Sequence, residues 1–241
     1  PMPIDLQADA LYFQALENGV DFGTFEERVV SPNFKSHFGA RAKIGVILPH
    51  DCWEVAVQFL HYHARTRTEG DLWRLHMGLG DLLLARSWPV SCSLCLTPFW
   101  GLRYGEIRHK LKQDPAISMK NKFWGVGPEV GLEGIWSFCS WLGIYTRAAF
   151  SLLFGEFYIH QDIPPLKFFD EYRQTRNVLE MALGMRFGGS CFYGQVAFEL
   201  YLFPGQNQLV RFVDDAMPGK YVANQGDLSL HGLSFGLGVY F

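Results

Sequence analysis

Cys92-Ser93-Leu94-Cys95 has the spacing at which two thiols share a metal ion or a disulfide, and three further cysteines stand at Cys52, Cys139 and Cys191. A tetrahedral zinc site needs a second ligand pair, and no second such pair occurs, so the chain is not expected to hold zinc. Oxidation is the other chemistry open to these thiols, and five cysteines leave at least one for a bond to another chain. His61-Tyr62-His63 puts two imidazoles on one face of an extended segment. That face continues an apolar row, which predicts an interfacial position rather than a metal site. His160, Asp162 and Asp170 share one polar stretch and could supply acid–base groups for peptide hydrolysis. GxGxxG, Walker-type and HExxH motifs do not occur, so nucleotide and zinc-protease chemistry lack their usual carriers, and no cofactor is expected.

The elements that position these residues follow a period of two. Phe38, Ala40, Ala42, Ile44, Val46 and Leu48 alternate with His37, Gly39, Arg41, Lys43 and Gly45. After a turn at 49–51, Trp53, Val55, Val57 and Phe59 alternate with Glu54, Ala56 and Gln58. Such alternation marks strands with two unlike faces. It returns over segments 71–86, 94–110, 120–136, 140–159, 171–187 and 192–202, and it closes on Leu233, Phe235, Leu237, Val239 and Phe241. In segment 71–86 the apolar row Trp73, Leu75, Met77, Leu79 gives way to Leu82 and Leu84, which predicts a bulge at Gly80-Asp81. Pro98 and Pro128 predict further bulges or bends. With a first strand over roughly 5–16, the count is about ten.

Hydrophobic residues make up 49% of the chain and aromatics 16%, with 25 Gly, a load that suits β-architecture better than a helical bundle. The net charge of −3 offers no basic field for nucleic acid. No stretch has the apolar length of a membrane helix. Pro1-Met2-Pro3-Ile4-Asp5 has neither a positive n-region nor an apolar core, so any export signal is expected to be already absent.

An even number of long sequential strands predicts an all-β fold: one antiparallel up-and-down transmembrane β-barrel of about ten strands, occupying residues 1–241 as a single domain. Connections near 49–51, 87–93, 137–140 and 188–191 are short, whereas 17–33, 111–119, 160–170 and 203–226 are longer, with 67–70 as the exception. That layout puts the short turns and both termini on the periplasmic rim of a bacterial outer-membrane barrel. A soluble lipocalin-like barrel would turn the apolar face inward. Against it stand the strand lengths, the Gly among the charges, and Trp53, Trp73, Trp88, Trp124, Trp136 and Trp141 near strand ends, where a membrane barrel carries aromatic girdles.

Several segments, taken in order, resemble the pore-forming major outer membrane proteins of the Legionella type, whose relatives are expanded in Chlamydia-like bacteria. They are Ala8–Phe13 with Glu17–Phe22, Phe38–Arg41 leading to Pro49–Val55, Phe123–Pro128, Ser151–Gly155, Asn207-Gln208 and Gly226–Leu233. The resemblance implies a porin or surface protein of the outer membrane with no catalytic set to carry over. It also implies an envelope cross-linked by disulfides, as in the related chlamydial envelopes.

On this topology Arg41, Lys43, Glu54, Gln58, Arg74, Arg103, Glu129, Glu133, Arg147, Glu180, Arg186 and Glu199 point inward. They either line a narrow hydrated pore for small solutes or neutralise one another in a plugged structural or adhesive barrel. Cys52, Cys92, Cys95, Cys139 and Cys191 fall at the periplasmic rim, open to disulfides with envelope proteins or with a second copy. Phe241 is expected to act as an assembly signal read by the barrel-assembly machinery, which joins the lipid bilayer among the partners. The enzymatic alternative is a ten-stranded omptin-like protease using His160, Asp162 and Asp170.

Overall fold

The computed structural model describes residues 3–17, 23–25, 28–30, 34–49, 53–68, 71–113, 117–163, 166–189, 191–212 and 221–241. Ten long strands form one sheet: β1 Ile4–Glu17, β2 His37–Ile47, β3 Trp53–Thr68, β4 Asp71–Arg86, β5 Leu94–Gln113, β6 Ile117–Cys139, β7 Leu142–Ile163, β8 Leu166–Gly188, β9 Phe192–Phe212 and β10 Tyr221–Tyr240. Each pairs antiparallel with its sequence neighbours, and β10 pairs with β1 from Asp5↔Tyr240 to Glu17↔Leu228, which closes the barrel. Closure gives every strand two hydrogen-bonded neighbours, the condition for a sheet in hydrocarbon. Two short pieces, Gly23–Phe25 and Arg28–Val30, pair as a hairpin, and Trp88–Pro89 pairs with the start of β5.

The strands are longer than a membrane requires. β6 runs 23 residues, whereas about 9–11 tilted residues span the hydrocarbon. Along β6 the outward side chains Val126, Val130, Leu132, Trp136 and Phe138 are exposed and apolar or aromatic, but Lys120 and Lys122 occupy the same face further out. The interior changes in the opposite sense: Glu129 is buried within the apolar band and Phe123 is buried beyond it. The barrel is thus lipid-facing with a polar interior over its lower part, next to the termini. Over its upper part it is water-facing with an apolar interior.

This inversion corrects several expectations. Trp73, Leu75, Met77 and Leu79 point inward, and Arg74, expected in the lumen, is exposed on the outside. Trp73 therefore belongs to no outer girdle. No bulge occurs at Gly80-Asp81, because pairing runs unbroken through Phe59↔Gly80 and Gln58↔Asp81 on one side and Gly80↔Tyr104 and Asp81↔Arg103 on the other. The apparent phase slip is the point where the apolar face changes from inward to outward. Pro98 and Pro128 also leave the β5–β6 register unshifted. Register shifts occur instead at Leu142/Gly143 and between Phe203 and Asn207, where Gly205 takes φ 63°. Within the segments expected as long connections, residues 111–113, 117–119, 160–163, 166–170, 203–212 and 221–226 are strand, and 114–116, 164–165 and 213–220 lie outside the described residues.

Two aromatic tiers bound the band. Trp88, Trp136, Phe138, Trp141, Phe192 and Phe241 stand outward near the lower rim, and Tyr12, Phe38, Phe59, Tyr104, Trp124 and Phe154 near its upper limit. From Val126 to Phe138, at ~3.3 Å per residue and ~40° of tilt, the strand climbs about 30 Å, the thickness of a bilayer core. Leu183 lies mid-band on β8 and is 63% exposed. Leu183→Arg should impair folding into vesicles by about 2–4 kcal/mol. Gly78→Arg, at an outward position above the band with open space around it, should fold like wild type in the same urea titrations.

Candidate functional site

The lumen is the natural place to look for function, and it is built in two layers. In the lower layer Arg103 on β5 is 1% exposed and meets carboxylates from three other strands. Its Nε donates to Asp81 Oδ1 (2.6 Å) and its Nη2 to Asp81 Oδ2 (2.9 Å), while Nη2 lies 2.8 Å from Glu129 Oε1. Nη1 donates to Glu180 Oε1 on β8, which is not a neighbour of β5, so this pair crosses the lumen. Arg147 pairs with Glu133 at 2.5 Å, lies 3.5 Å from Glu180, and sets its guanidinium 4.4 Å from the Phe99 ring centroid.

A second strap joins β2 to β9 in the same way. Arg41 Nε donates to Asp9 Oδ2 (2.5 Å), its Nη1 and Nη2 donate to both oxygens of Glu199 (2.8 and 2.7 Å), and Nη1 also reaches the Tyr201 hydroxyl (3.0 Å). This forked guanidinium–carboxylate geometry fixes direction as well as distance. Lys43 bridges Glu54 (2.6 Å) and Asp5 (3.3 Å), and Arg186 donates to Gln195 (3.0 Å) beneath the Tyr193 ring. Glycines on this face make the room: a Cβ at Gly236 would collide with Asp9 Oδ1, and one at Gly45 with Glu54 Oε1.

The upper layer is mainly apolar, with Glu17, His109, Asn121, Gln161, Arg176, Gln206 and Asn207 also buried there. Leu11, Phe13, Tyr62, Met77, Phe123 and Phe157, with their neighbours, form one buried cluster. Tyr62 donates to the Phe13 carbonyl (2.9 Å). Within this layer Glu17 and His109 lie 2.9 Å apart.

Eleven of the twelve side chains expected in the lumen therefore stand on the inner face, and Arg74 does not. Sequence reasoning missed Asp5, Asp9 and Asp81, which complete the ion-pair network. Asp5 and Asp9 alternate with the outward residues Leu6, Ala8 and Ala10, so the same period could have found them. Asp81 was hidden by the supposed bulge.

The other candidates do not converge. His160 and Asp162 share the outer face of β7, where Asp162 lies 3.9 Å from Lys167, while Asp170 pairs with the inward position Ile159. His61 and His63 lie outward on β3 beside His76 of β4, with the His61 and His76 rings 4.8 Å apart. Among the described residues no group of three His, Cys, Asp or Glu side chains is arranged to hold a metal. Burial and then the nearby imidazoles and arginines hold His63 below its ordinary pKa, and burial, His61 and Arg108 do the same to His76. Cys92, Cys95 and Cys139 are free thiols at the short-turn rim, Cys191 stands exposed on the same rim, and Cys52 lies outside the described residues.

Arg103 is the group whose loss leaves most charge unbalanced. Arg103→Met takes the arginine from Asp81 and leaves Glu129 and Glu180 to Arg147 alone, and should destabilise the barrel by about 3–5 kcal/mol. Lys43→Met, at a less buried pair, should lose less in the same urea unfolding followed by tryptophan fluorescence.

Comparison with solved structures places this architecture among outer-membrane barrels. The outer membrane protease OmpT from Escherichia coli superposes with a TM-score of 0.63 at 12% identity, covering 100% of this chain and 96% of that one. At that identity the likeness is one of fold. A major outer membrane protein from Thermus thermophilus aligns over 100% of both chains at 10% identity, with a TM-score of 0.49. Comparison with curated protein sequences returns no match. The family described as Legionella pneumophila major outer membrane protein precursor matches residues 2–241. With nearly its whole length matched and its fold a closed ten-stranded barrel, the chain belongs to that family and is a protein of the bacterial outer membrane.

Proposed function

We propose that this protein is a closed structural barrel of the outer membrane, stabilising the envelope and presenting its upper part to the exterior, rather than a pore for passive diffusion. One observation carries the reading: the lumen is filled by its own side chains at successive levels. Arg103, Glu129, Ser151, Phe13 and Phe157 are each at most 1% exposed, although they occupy different heights. The lining of a hydrated channel would remain accessible. The straps Arg103–Glu180 and Arg41–Glu199 tie non-adjacent walls together, and the apolar layer above them adds a second seal.

A narrow porin, the other reading of the inward charges, needs a continuous aqueous path through both layers. Opening one would strip partners from buried ions, which is strongly destabilising. The rim thiols fit the structural reading, since Cys92 and Cys139 are exposed where an oxidising periplasm can link them to neighbouring chains. The barrel-assembly machinery, reading Phe241, belongs to the same proposal.

Reconstitution into planar bilayers tests it. Protein shown to be folded by heat-modifiable migration should leave the membrane electrically silent. Discrete, voltage-stable conductance steps from wild-type protein would replace the closed-barrel reading with the porin.

A further inference from the structure

The outer surface just above the lipid-facing band carries a charge arrangement that the barrel itself does not explain. Across the hydrogen-bonded strands β3 to β6, His63, His76, Arg108 and Lys122 stand directly opposite one another in turn. The next row outward is Arg65, Arg74, Lys110 and Lys120. Like charges facing each other across strands destabilise a sheet. In this patch Glu106 pairs with Arg108 (2.6 Å) and Lys122 (3.2 Å). Arg65, Arg74, Lys110 and Lys120 have no acidic partner among the described residues. The whole chain has a net charge of −3, so this is a local concentration and not a general basicity.

Its position selects the ligand. Below the cationic rows, on the same four strands, come His61, Gly78, Glu106 and Trp124, then Phe59, Gly80, Tyr104 and Val126, and then Val57, Leu82, Leu102 and Pro128 in the band itself. A lipid whose acyl chains lie along those apolar rows must put its headgroup against the cations. On the adjoining strands β6 to β8 the surface is hollowed into a groove of about 820 Å³ lined by Trp124, Phe154, Glu156, Arg173 and Thr175, with room for a sugar. We propose that the outward face of β3 to β6 is a binding site for a phosphorylated glycolipid of the outer leaflet, its phosphates held by Arg65, Arg74, Lys110, Lys120, Arg108 and Lys122.

The test is native mass spectrometry and thermal unfolding of the full, folded chain in neutral detergent. Added probes are diphosphoryl lipid A, its fully dephosphorylated form and inorganic phosphate. The diphosphoryl form should be retained and raise the unfolding temperature, and the dephosphorylated form should bind about a hundredfold more weakly. The variant Arg65→Gln/Arg74→Gln/Lys110→Gln/Lys120→Gln should fold at least as well as wild type without lipid, because it removes repulsion, yet lose that retention. Equal retention of both lipid forms, equal retention by the variant, or displacement of the lipid by inorganic phosphate at comparable concentration would each overturn the proposal. The last would indicate a simple anion site and not a lipid site. Conductance plays no part in the readout, so failure here is distinct from failure of the closed-barrel reading.

Discussion

A strand that crosses from lipid into water must exchange the characters of its two faces, and the rest of this barrel follows from that exchange. Side chains alternate across a sheet, so each strand has one inward and one outward series for its whole length. In hydrocarbon the outward series must be apolar and the interior can be charged. Once the wall rises above the membrane, water wets its outside, and stability must come from burying apolar groups inside. Val130 outward with Glu129 inward, and Lys122 outward with Phe123 inward, show both regimes on a single strand.

The two interior layers do different work. Buried ion pairs lose much of their attraction to desolvation and add little net stability, but they punish any arrangement that separates them. Arg103 with Asp81, Glu129 and Glu180, and Arg41 with Asp9 and Glu199, therefore act mainly to specify which walls face each other across the lumen. The apolar layer, from Leu11 through Phe157 to Leu230, supplies the burial that holds the upper barrel together outside the bilayer. The surface repeats the same division: apolar rows meet acyl chains, and the cationic rows above them stand at headgroup level.

Strand number, order and lipid-facing series were legible because a period of two repeats with one phase over β6 to β9: Val130, Phe150, Leu183 and Phe198 all stand outward. Periodicity does not say which medium a face meets. Trp73 and Arg74 were consequently assigned to the wrong sides, and Asp81 was lost in a bulge that does not exist. The outer ends of the long strands read as loops for the same reason, since their exposed faces are polar. The partners of Arg103 were beyond reach, because Glu180 lies 77 residues away and meets it only through the closed cross-section. The cationic rows become visible only once register sets Arg65, Arg74, Lys110 and Lys120 side by side.

The exchange of faces can be measured directly by placing single nitroxide labels along β6, in a background with the native cysteines replaced by serine, in protein reconstituted into vesicles. Labels at positions 120 and 122 should collide with a water-soluble nickel complex, and labels at 126 and 130 with oxygen dissolved in lipid. A label at 123 should be shielded from both. Oxygen access at 122 equal to that at 126, or nickel access at 123 equal to that at 122, would contradict a barrel that is lipid-facing below and water-facing, with an apolar interior, above.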